Sequence, residues 1–178
     1  MPDLVPFSDI AHLFTDFEQT ARRLESRRGY AVDIGTPKWE LWKVGGDLGY
    51  NPGHPWHANV RAQTGQGKRF ERVRTVDSPP TEGQRFLMAS GRGNVEAGEE
   101  IRHLPRAAAD RMGLPAEDFW LFDNLIVVRI VFDGDDNTLG VEVRDDHATV
   151  AAARRIWAAA WSGAINSAEF AARVPSSM

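Results

Sequence analysis

The segment from Glu117 to Arg144 reads EDFWLFDNLIVVRIVFDGDDNTLGVEVR, and it holds three short apolar runs separated by two groups of Asp and Asn residues. Runs of this length, rich in β-branched and aromatic residues, are typical of strands. Asp and Asn favour turns because their side chains bond nearby backbone groups. The segment therefore predicts three strands, at 118–122, 125–132 and 138–144, joined as an antiparallel meander.

The rest of the chain alternates between helical and strand-like patterns. The predicted helices cover 9–28, 56–63, 81–90, 106–113 and 148–164. Further strands are predicted at 69–76 and 99–104. The stretch 30–44 is ambiguous, because YAVDI resembles a short strand and WELWKV fits a strand or a helical turn. This order indicates an α/β or α+β fold, with a mixed sheet that ends in the antiparallel meander and is flanked by helices.

The predicted helix over 9–28 has the strongest pattern. Ser8 suits the N-cap, apolar residues recur at helical spacing from Ile10 to Leu24, and Gly29 is a natural stop. Arginines gather near its end, at Arg22, Arg23, Arg27 and Arg28. We expect them to form a solvated face that complements the helix dipole, rather than a basic patch for a partner.

Composition limits the classes of function. Hydrophobic residues make up 42% of the 178 residues, which suits one globular domain, placed at 7–173 with a frayed tail at 174–178. The net charge of −4 argues against direct nucleic-acid binding. The lack of cysteine excludes disulfides, thiolate zinc sites and a Cys nucleophile. No apolar run reaches the roughly 20 residues that cross a bilayer, and no signal-peptide pattern is present, so we expect a cytoplasmic protein without a membrane partner.

Motifs for catalysis or metal binding fail at defined positions. The D-x-D-x-N pattern at 133–137 begins like a calcium loop, but Thr138 and Arg144 stand where that loop requires Gly and Glu. His54 and His57 lack the HExxH pattern of zinc enzymes. The glycines of GRGN lack the Lys-Ser/Thr of a P-loop and predict a turn instead. No catalytic residue, metal or cofactor is therefore predicted, and 133–137 is interpreted as a turn.

Arginines interrupt two of the predicted strands. In RFERVRTV, a period of two places Arg72 and Arg74 on one face with Phe70, and Val73 on the other. Arg129 interrupts IVVRIVF in the same way. Because arginine is seldom buried without a partner, these positions require carboxylates or a bound anion. The candidate carboxylates are Glu99, Asp118, Asp123 and Glu142. Structural ion pairs or a solvated sheet face are favoured, and an anion pocket stays open as the alternative.

Five blocks in order carry a resemblance to a known family: LFTDFEQTARRLESRRGY, RVRTVDSPPTEGQRF, NVEAGEEIRHLPR, DFWLFD and FDGDDNTLGVEVRDD. They span about 7–170 and resemble an actinobacterial family known as a domain of unknown function, which often lies beside Xre-type helix-turn-helix regulators. The resemblance implies such a regulator as a partner. Gly83 and Gln84 precede Arg85 where the family often has a tyrosine, and 37–68 diverges, which puts any ligand site there in doubt.

The order of elements is also similar to one half of a phospholipase D-like fold. Such domains often serve as sensors in transcription regulators. The HxKxxxxD signature that makes this fold a phosphodiesterase is missing, because neither His54 nor His57 is followed by Lys and Asp at the required spacing. The resemblance therefore implies a catalytically inactive version of the fold.

The favoured hypothesis is a non-enzymatic regulatory or interaction protein. It would work with a helix-turn-helix regulator or sense a small anionic ligand. The candidate anchors for such a ligand are Arg72, Arg74, Arg85 and Arg102. Glu99, Trp120 and Asp123 would shape the site.

Two alternatives stay open. The first is an enzyme of unknown reaction, a hydrolase or a tailoring enzyme of specialised metabolism, with Asp118, Asp123 or His103 as acid–base groups. The second is a toxin–antitoxin or immunity-type partner, which an exposed apolar patch would mark. Tryptophans that could form this patch are Trp39, Trp42 and Trp56, although at least two of them are expected in the core.

Overall fold

A computed structural model describes residues 3–173, so the tail predicted at 174–178 lies outside the described residues. Within this range the molecule is built on one seven-stranded mixed sheet. Its strands are β1 (Thr20–Glu25), β2 (Arg69–Val76), β3 (Glu100–Pro105), β4 (Asp118–Phe122), β5 (Ile126–Phe132), β6 (Thr138–Arg144) and β7 (Ile165–Asn166). The strand order is β6-β5-β4-β1-β2-β3-β7, in which β1, β2 and β3 run parallel and all other neighbours are antiparallel.

Helices cover both faces of this sheet. They are α1 (Leu13–Asp16), α2 (Pro37–Lys43), α3 (Pro55–Thr64), α4 (Glu82–Ala97), α5 (Arg106–Arg111), α6 (His147–Gly163) and α7 (Ser167–Arg173), with short 3-10 helices at Phe7–Ile10 and Ala31–Asp33. Helices α5 and α6 close one face over an apolar core, and α1, α3 and α4 pack on the other. None of the helices in residues 3–173 is long and apolar enough to cross a membrane.

The mixed sheet and its C-terminal meander confirm the predicted fold class. Strands β4, β5 and β6 pair antiparallel in sequence order. Asp123 and Asn124 form the first turn with φ values of 52° and 59°, as a tight hairpin turn of mirror-image type requires. In the second turn, the Asp133 carboxylate accepts hydrogen bonds from the backbone N–H groups of Asp135 and Asn137. The interpretation of 133–137 as a turn is therefore confirmed.

The predicted long helix over 9–28 is wrong. Only a 3-10 turn and the four residues of α1 are helical there, and Thr20–Glu25 forms β1 in the middle of the sheet. The Asp123 carboxylate accepts three backbone N–H bonds, from Glu18, Gln19 and Thr20, at 2.7–2.9 Å. These bonds fix the chain where it enters β1. The pairing of β1 with β2 and β4 then outweighs the local helical pattern.

Two shorter predictions are also wrong. GRGN is not a turn, because Gly91 and Gly93 lie inside α4, which continues to Ala97. A Cβ on Gly93 would approach the His57 ring to 2.6 Å, so the glycine serves close packing of α4 on α3 rather than a change in chain direction. YAVDI is not a strand either, since Ala31–Asp33 forms a 3-10 helix and makes no sheet pairing.

Candidate functional site

A cleft of about 890 Å³ opens on the face of the sheet opposite α6. Its floor is formed by β1, β2, β4 and β5, and α3, α4 and the segment 30–38 form its walls. Aromatic rings line much of it, among them Phe14, Tyr30, Trp56, Phe86, Trp120 and Phe132. A concave, mainly apolar surface with a few fixed polar groups is the usual form of a small-molecule site.

Four charged side chains meet at the floor of this cleft. Arg72 donates from Nε to Glu99 and from Nη1 to Glu25, both at 2.5 Å. Arg74 donates from Nε to the second oxygen of Glu25 at 2.6 Å and from Nη1 to the Leu87 carbonyl in α4. All four residues are buried. One buried carboxylate is therefore shared by two guanidinium groups, which fixes both of them.

The network extends from Arg72 to Arg23 of β1, Asp118 of β4 and the side chain of Tyr30. The Arg23 Nη2 atom lies 3.0 Å from Asp118 Oδ2, and the Tyr30 hydroxyl donates to the same oxygen at 2.5 Å. Asp118 also accepts from the backbone N–H of Ser26. Arg23 and Arg72 both lie over the Trp120 ring, at 5.8 and 5.6 Å from its centre. The ring and the carboxylates together hold the two arginines from several sides.

The electrostatics keep this network ionised. Burial alone would raise the pKa of Glu25, but Arg74, Arg72 and Arg23 outweigh burial and hold that pKa well below its usual range. Burial alone would lower the pKa of Arg72, but Glu99 and Glu25 outweigh burial and raise it. Burial, together with the charges of Glu25 and Asp118, raises the pKa of Tyr30. Glu25 is therefore a carboxylate, and Tyr30 a neutral hydrogen-bond donor, at neutral pH.

A second polar group stands in the wall of the cleft. Asp33, Lys38 and His54 all line it and are all partly buried. Burial raises the pKa of Asp33 and lowers the pKa of Lys38, and the two residues act on each other electrostatically. Burial and the charge of Lys38 also lower the pKa of His54, whose Nδ1 atom is buried without a hydrogen-bond partner in the described structure. These groups are placed to contact whatever fills the cleft.

The structure brings together only some of the predicted site residues. Arg72 and Trp120 line the cleft, and Arg74 and Glu99 lie directly behind Arg72. Arg85 is exposed and donates to the Pro80 carbonyl at the start of α4. Arg102 points to the other face, where its guanidinium lies 3.8 Å from the centre of the Trp161 ring. Neither of these two residues lines the cleft.

The carboxylates and the histidine proposed for catalysis are occupied or enclosed. Asp123 is bound by the three backbone N–H groups that enter β1, which lower its pKa against the effect of burial. Asp118 is held by Arg23, Tyr30 and Ser26. His103 is buried and stacks on Phe170 of α7, and neither ring nitrogen has a partner among the described residues. None of Asp118, Asp123 and His103 lines the cleft.

The predicted ion pairs of the strand arginines agree with the structure in part. Glu99 pairs with Arg72 and Glu142 with Arg129, as two of the candidate pairings. The carboxylate that joins Arg72 and Arg74 is Glu25, which the sequence reasoning missed because 9–28 was assigned to a helix. A period of two in TARRLE, with Arg23 and Glu25 on the face opposite Leu24, is the signal that could have identified it.

The histidine pair at 54 and 57 does not form a metal site. His57 is buried, where its Nδ1 atom accepts from the Asn51 N–H and its Nε2 atom lies 3.1 Å from the Asn94 side chain. Within residues 3–173, no group of three or more His, Cys, Asp or Glu side chains is arranged to hold a metal ion. His57 therefore belongs to the packing between α3 and α4, and His54 is the member of the pair that lines the cleft.

Comparison with known proteins places this fold. Nuc from Salmonella typhimurium, described as a phospholipase D family member, superposes with a TM-score of 0.53 at 12% identity, over 89% of this chain and 88% of that chain. NucT from Helicobacter pylori superposes with a TM-score of 0.54 at 8% identity, over 93% and 97%. No curated protein matches the chain in sequence. The fold is thus phospholipase D-like, and since residues 8–172 match the family described as Domain of unknown function (DUF6879), the chain belongs to that family.

Proposed function

We propose that this protein is a non-enzymatic sensor domain, which binds a small organic anion with a planar, apolar body in the cleft above Arg72. One observation carries the proposal. Arg72 lines an aromatic cleft while its Nε and Nη1 atoms are bound by Glu99 and Glu25, and no hydrogen bond within residues 3–173 involves its Nη2 atom. An acidic ligand would therefore meet a donor that is already oriented.

The charges around the cleft support a ligand with a single negative charge. Arg23 and Arg72 line it together with Glu25, and the carboxylates of Glu99 and Asp118 lie directly behind the two arginines, so the cleft is not a strongly basic pocket. The aromatic walls would hold a ring system, because offset and edge-to-face ring contacts add to the burial of apolar surface. A monoanionic aromatic compound fits these conditions better than a polyphosphate does.

An enzymatic function is the second candidate, and the phospholipase D-like fold of the two structural neighbours favours it. The phosphodiesterase signature of that fold begins with His-x-Lys, and none of the five histidines of this chain is followed by lysine two positions later. An enzymatic function would thus depend on other residues, and hydrolysis of bis-(p-nitrophenyl) phosphate by the protein tests for it. If the protein hydrolyses this compound and substitution of a residue that lines the cleft abolishes the hydrolysis, the enzymatic function replaces the sensor proposal.

The partnership with a helix-turn-helix regulator stays a prediction. An immunity-type partner loses part of its motive, because Trp39 is buried against Phe86 and Trp56 packs between Phe14 and Phe70. These tryptophans stabilise the protein and do not form an exposed patch. Ligand binding would instead reach a partner through the cleft walls, which include the segment 30–38 and α4.

The sensor proposal is tested with two dyes that share one ring system. 1-Anilinonaphthalene-8-sulfonate carries a sulfonate, and N-phenyl-1-naphthylamine does not. We expect the sulfonate to bind at one site per chain, quenching Trp56 and Trp120, and to bind at least about tenfold more tightly than the neutral dye, which equals about 1.4 kcal/mol. Equal affinities for the two dyes would contradict the role of the arginines.

A conservative variant locates the anion. Arg72→Lys keeps the charge but loses the planar fork, so it should weaken sulfonate binding about tenfold and leave the neutral dye unaffected. Arg85→Lys, at an exposed arginine outside the cleft, is the matched control. Circular dichroism and urea unfolding of both variants separate a loss of affinity from a loss of structure. Unchanged sulfonate affinity in a folded Arg72→Lys protein would place the anion elsewhere.

A further inference from the structure

The cleft contains an amine that the binding of an anion does not use. Lys38 lies in the first turn of α2 and lines the cleft, partly buried. Within residues 3–173, no hydrogen bond or ion pair involves its Nζ atom. The other two lysines of the chain differ in this respect, since Lys43 pairs with Glu82, and Lys68 donates to Gln63 and to the Thr15 carbonyl.

We propose that Lys38 is a reactive amine that forms a Schiff base with an aromatic aldehyde or ketone carrying an anionic group. This inference rests on the proposed function, because the aromatic walls and Arg72 would hold the ligand while Lys38 bonds to its carbonyl carbon. A partly desolvated lysine in an apolar cleft is the usual setting for this chemistry.

The neighbours of Lys38 support the reaction. Burial lowers the pKa of the amine, which increases the fraction of the neutral, nucleophilic form. Burial and the charge of Glu25 raise the pKa of Asp33, so its carboxyl group retains a proton more readily than an exposed aspartic acid does. Asp33 lies close enough to Lys38 for each to affect the other's pKa, and the charge of Lys38 also lowers the pKa of His54, which lines the same cleft.

The reaction balances without an added oxidant or reductant. The Nζ lone pair attacks the carbonyl carbon, and a C–N bond forms while the C=O π bond breaks. One of the two N–H protons then moves to the former carbonyl oxygen, which gives a carbinolamine. Asp33 donates a proton to the carbinolamine hydroxyl, which leaves as water while the C=N bond forms. Loss of the remaining N–H proton returns the proton to Asp33. The products are an imine and one water molecule, and the step is reversible, as a sensor requires.

The experiment uses the whole chain with pyridoxal 5′-phosphate as the probe and cyanoborohydride as the reductant that traps the imine. Each unit by which an amine pKa falls gives about ten times more neutral amine at neutral pH. With the aldehyde below one equivalent, peptide mapping should place at least about tenfold more label on Lys38 than on Lys43 or Lys68. In urea, the three lysines should be labelled to the same extent.

Variants and competition complete the test. Lys38→Met should remove the dominant label and Lys43→Met should retain it, and Asp33→Asn should slow labelling of Lys38 by about tenfold or more. The anilinonaphthalene sulfonate should protect Lys38 by competing for the cleft. Labelling in proportion to exposure, or labelling that the sulfonate does not reduce, would overturn the inference.

The two proposals can fail separately. If the sulfonate binds at Arg72 but Lys38 is not preferred, this inference fails and the proposed function stands. If the sulfonate does not bind, the proposed function fails too.

Discussion

The two faces of the sheet are built from the same strands but differ in what they bury. Toward α6, the strands present Leu24, Val73, Phe119 and Leu121, which form an apolar core with Trp157. Toward the cleft, the adjacent positions of the same strands are Glu25, Arg74 and Asp118, which form the ionised network. A step of one residue therefore changes the surroundings from a packed core to a buried salt-bridge network.

The two faces differ in what burial contributes to the stability of the protein. An apolar face stabilises through burial and packing alone. Buried ion pairs recover their desolvation cost only with good geometry, and well-packed apolar residues often replace them without loss of stability. The stability of the protein alone therefore does not explain why charged residues, rather than apolar ones, form the floor of the cleft. Under the proposed function, this network would be a rigid platform that orients Arg72 and Arg23 toward the ligand.

Breaking the network at its shared carboxylate should destabilise the protein most. Glu25→Gln leaves Arg72 and Arg74 without the charge that both of them bind, so it should lower the free energy of unfolding by about 4 kcal/mol. Urea unfolding measures this loss. Glu169→Gln, which breaks the exposed pair with Arg173, should cost less than about 1 kcal/mol. Similar costs for the two variants would mean that the network is not a buried ionic unit.

A truncation on the apolar face should destabilise the protein without changing the cleft. Leu121 is fully buried in the core on the α6 side, so Leu121→Ala should lower the free energy of unfolding by about 3 kcal/mol through lost burial and the cavity that remains. Affinity for the anilinonaphthalene sulfonate, measured without denaturant, should not change. A parallel loss of affinity would show that the two faces are coupled and would remove the basis of the comparison.

The charged face should also make the stability of the protein depend on pH, through His103, which lies near Arg74 and Glu25. Burial and the charge of Arg74 lower the pKa of His103 to about 3, whereas an unfolded histidine titrates near about 6.5. The unfolded chain therefore binds the proton first as the pH falls. The contribution of the neutral ring is fully present above about pH 6.5 and is lost toward the folded pKa, by about 1.4 kcal/mol per pH unit.

Comparison of variants isolates this contribution. His103→Phe keeps a ring against Phe170 and should flatten the decrease in stability between pH 6.5 and pH 5, a range above the titration of most carboxylates. His147→Gln, at an exposed residue, is the control and should retain the slope of the original protein. An unchanged slope in His103→Phe would show that His103 does not remain neutral in the folded protein.

The smallest expected effect concerns the helix that forms one wall of the cleft. Thr81 caps α4 by accepting from the Gln84 N–H, and the Gln84 side chain accepts from the Thr81 N–H in return. Thr81→Ala should cost about 1 kcal/mol of stability, measured by urea unfolding. Thr81→Ser keeps the capping oxygen and should cost much less. Equal costs would mean that the cap does not stabilise this wall.

The sequence predicted the meander, β2, β3, α3, α5 and α6 because each has its signal within a single window of residues. The period of two in RFERVRTV also placed Arg72 and Arg74 on one face, and the need of a buried arginine for a carboxylate made Glu99 one of four candidate partners, which the structure pairs with Arg72. These features depend on local periodicity and on elementary electrostatics, which are present in the sequence itself.

The tertiary structure decided the rest. The apolar spacing of 9–28 fits a helix, yet β1 forms because it pairs with β2 and β4. These two strands lie far away in the chain, so the local pattern does not predict the pairing. With β1 misassigned, Arg23 and Glu25 could not be placed beside Arg72. The wall of Asp33, Lys38 and His54 comes from a stretch without periodicity, and only the packing of α2 on α4 and of α3 on the sheet brings it to the cleft. Local patterns in the sequence thus predict the class of fold and the charged strand, whereas the candidate site depends on long-range pairing, which no local pattern records.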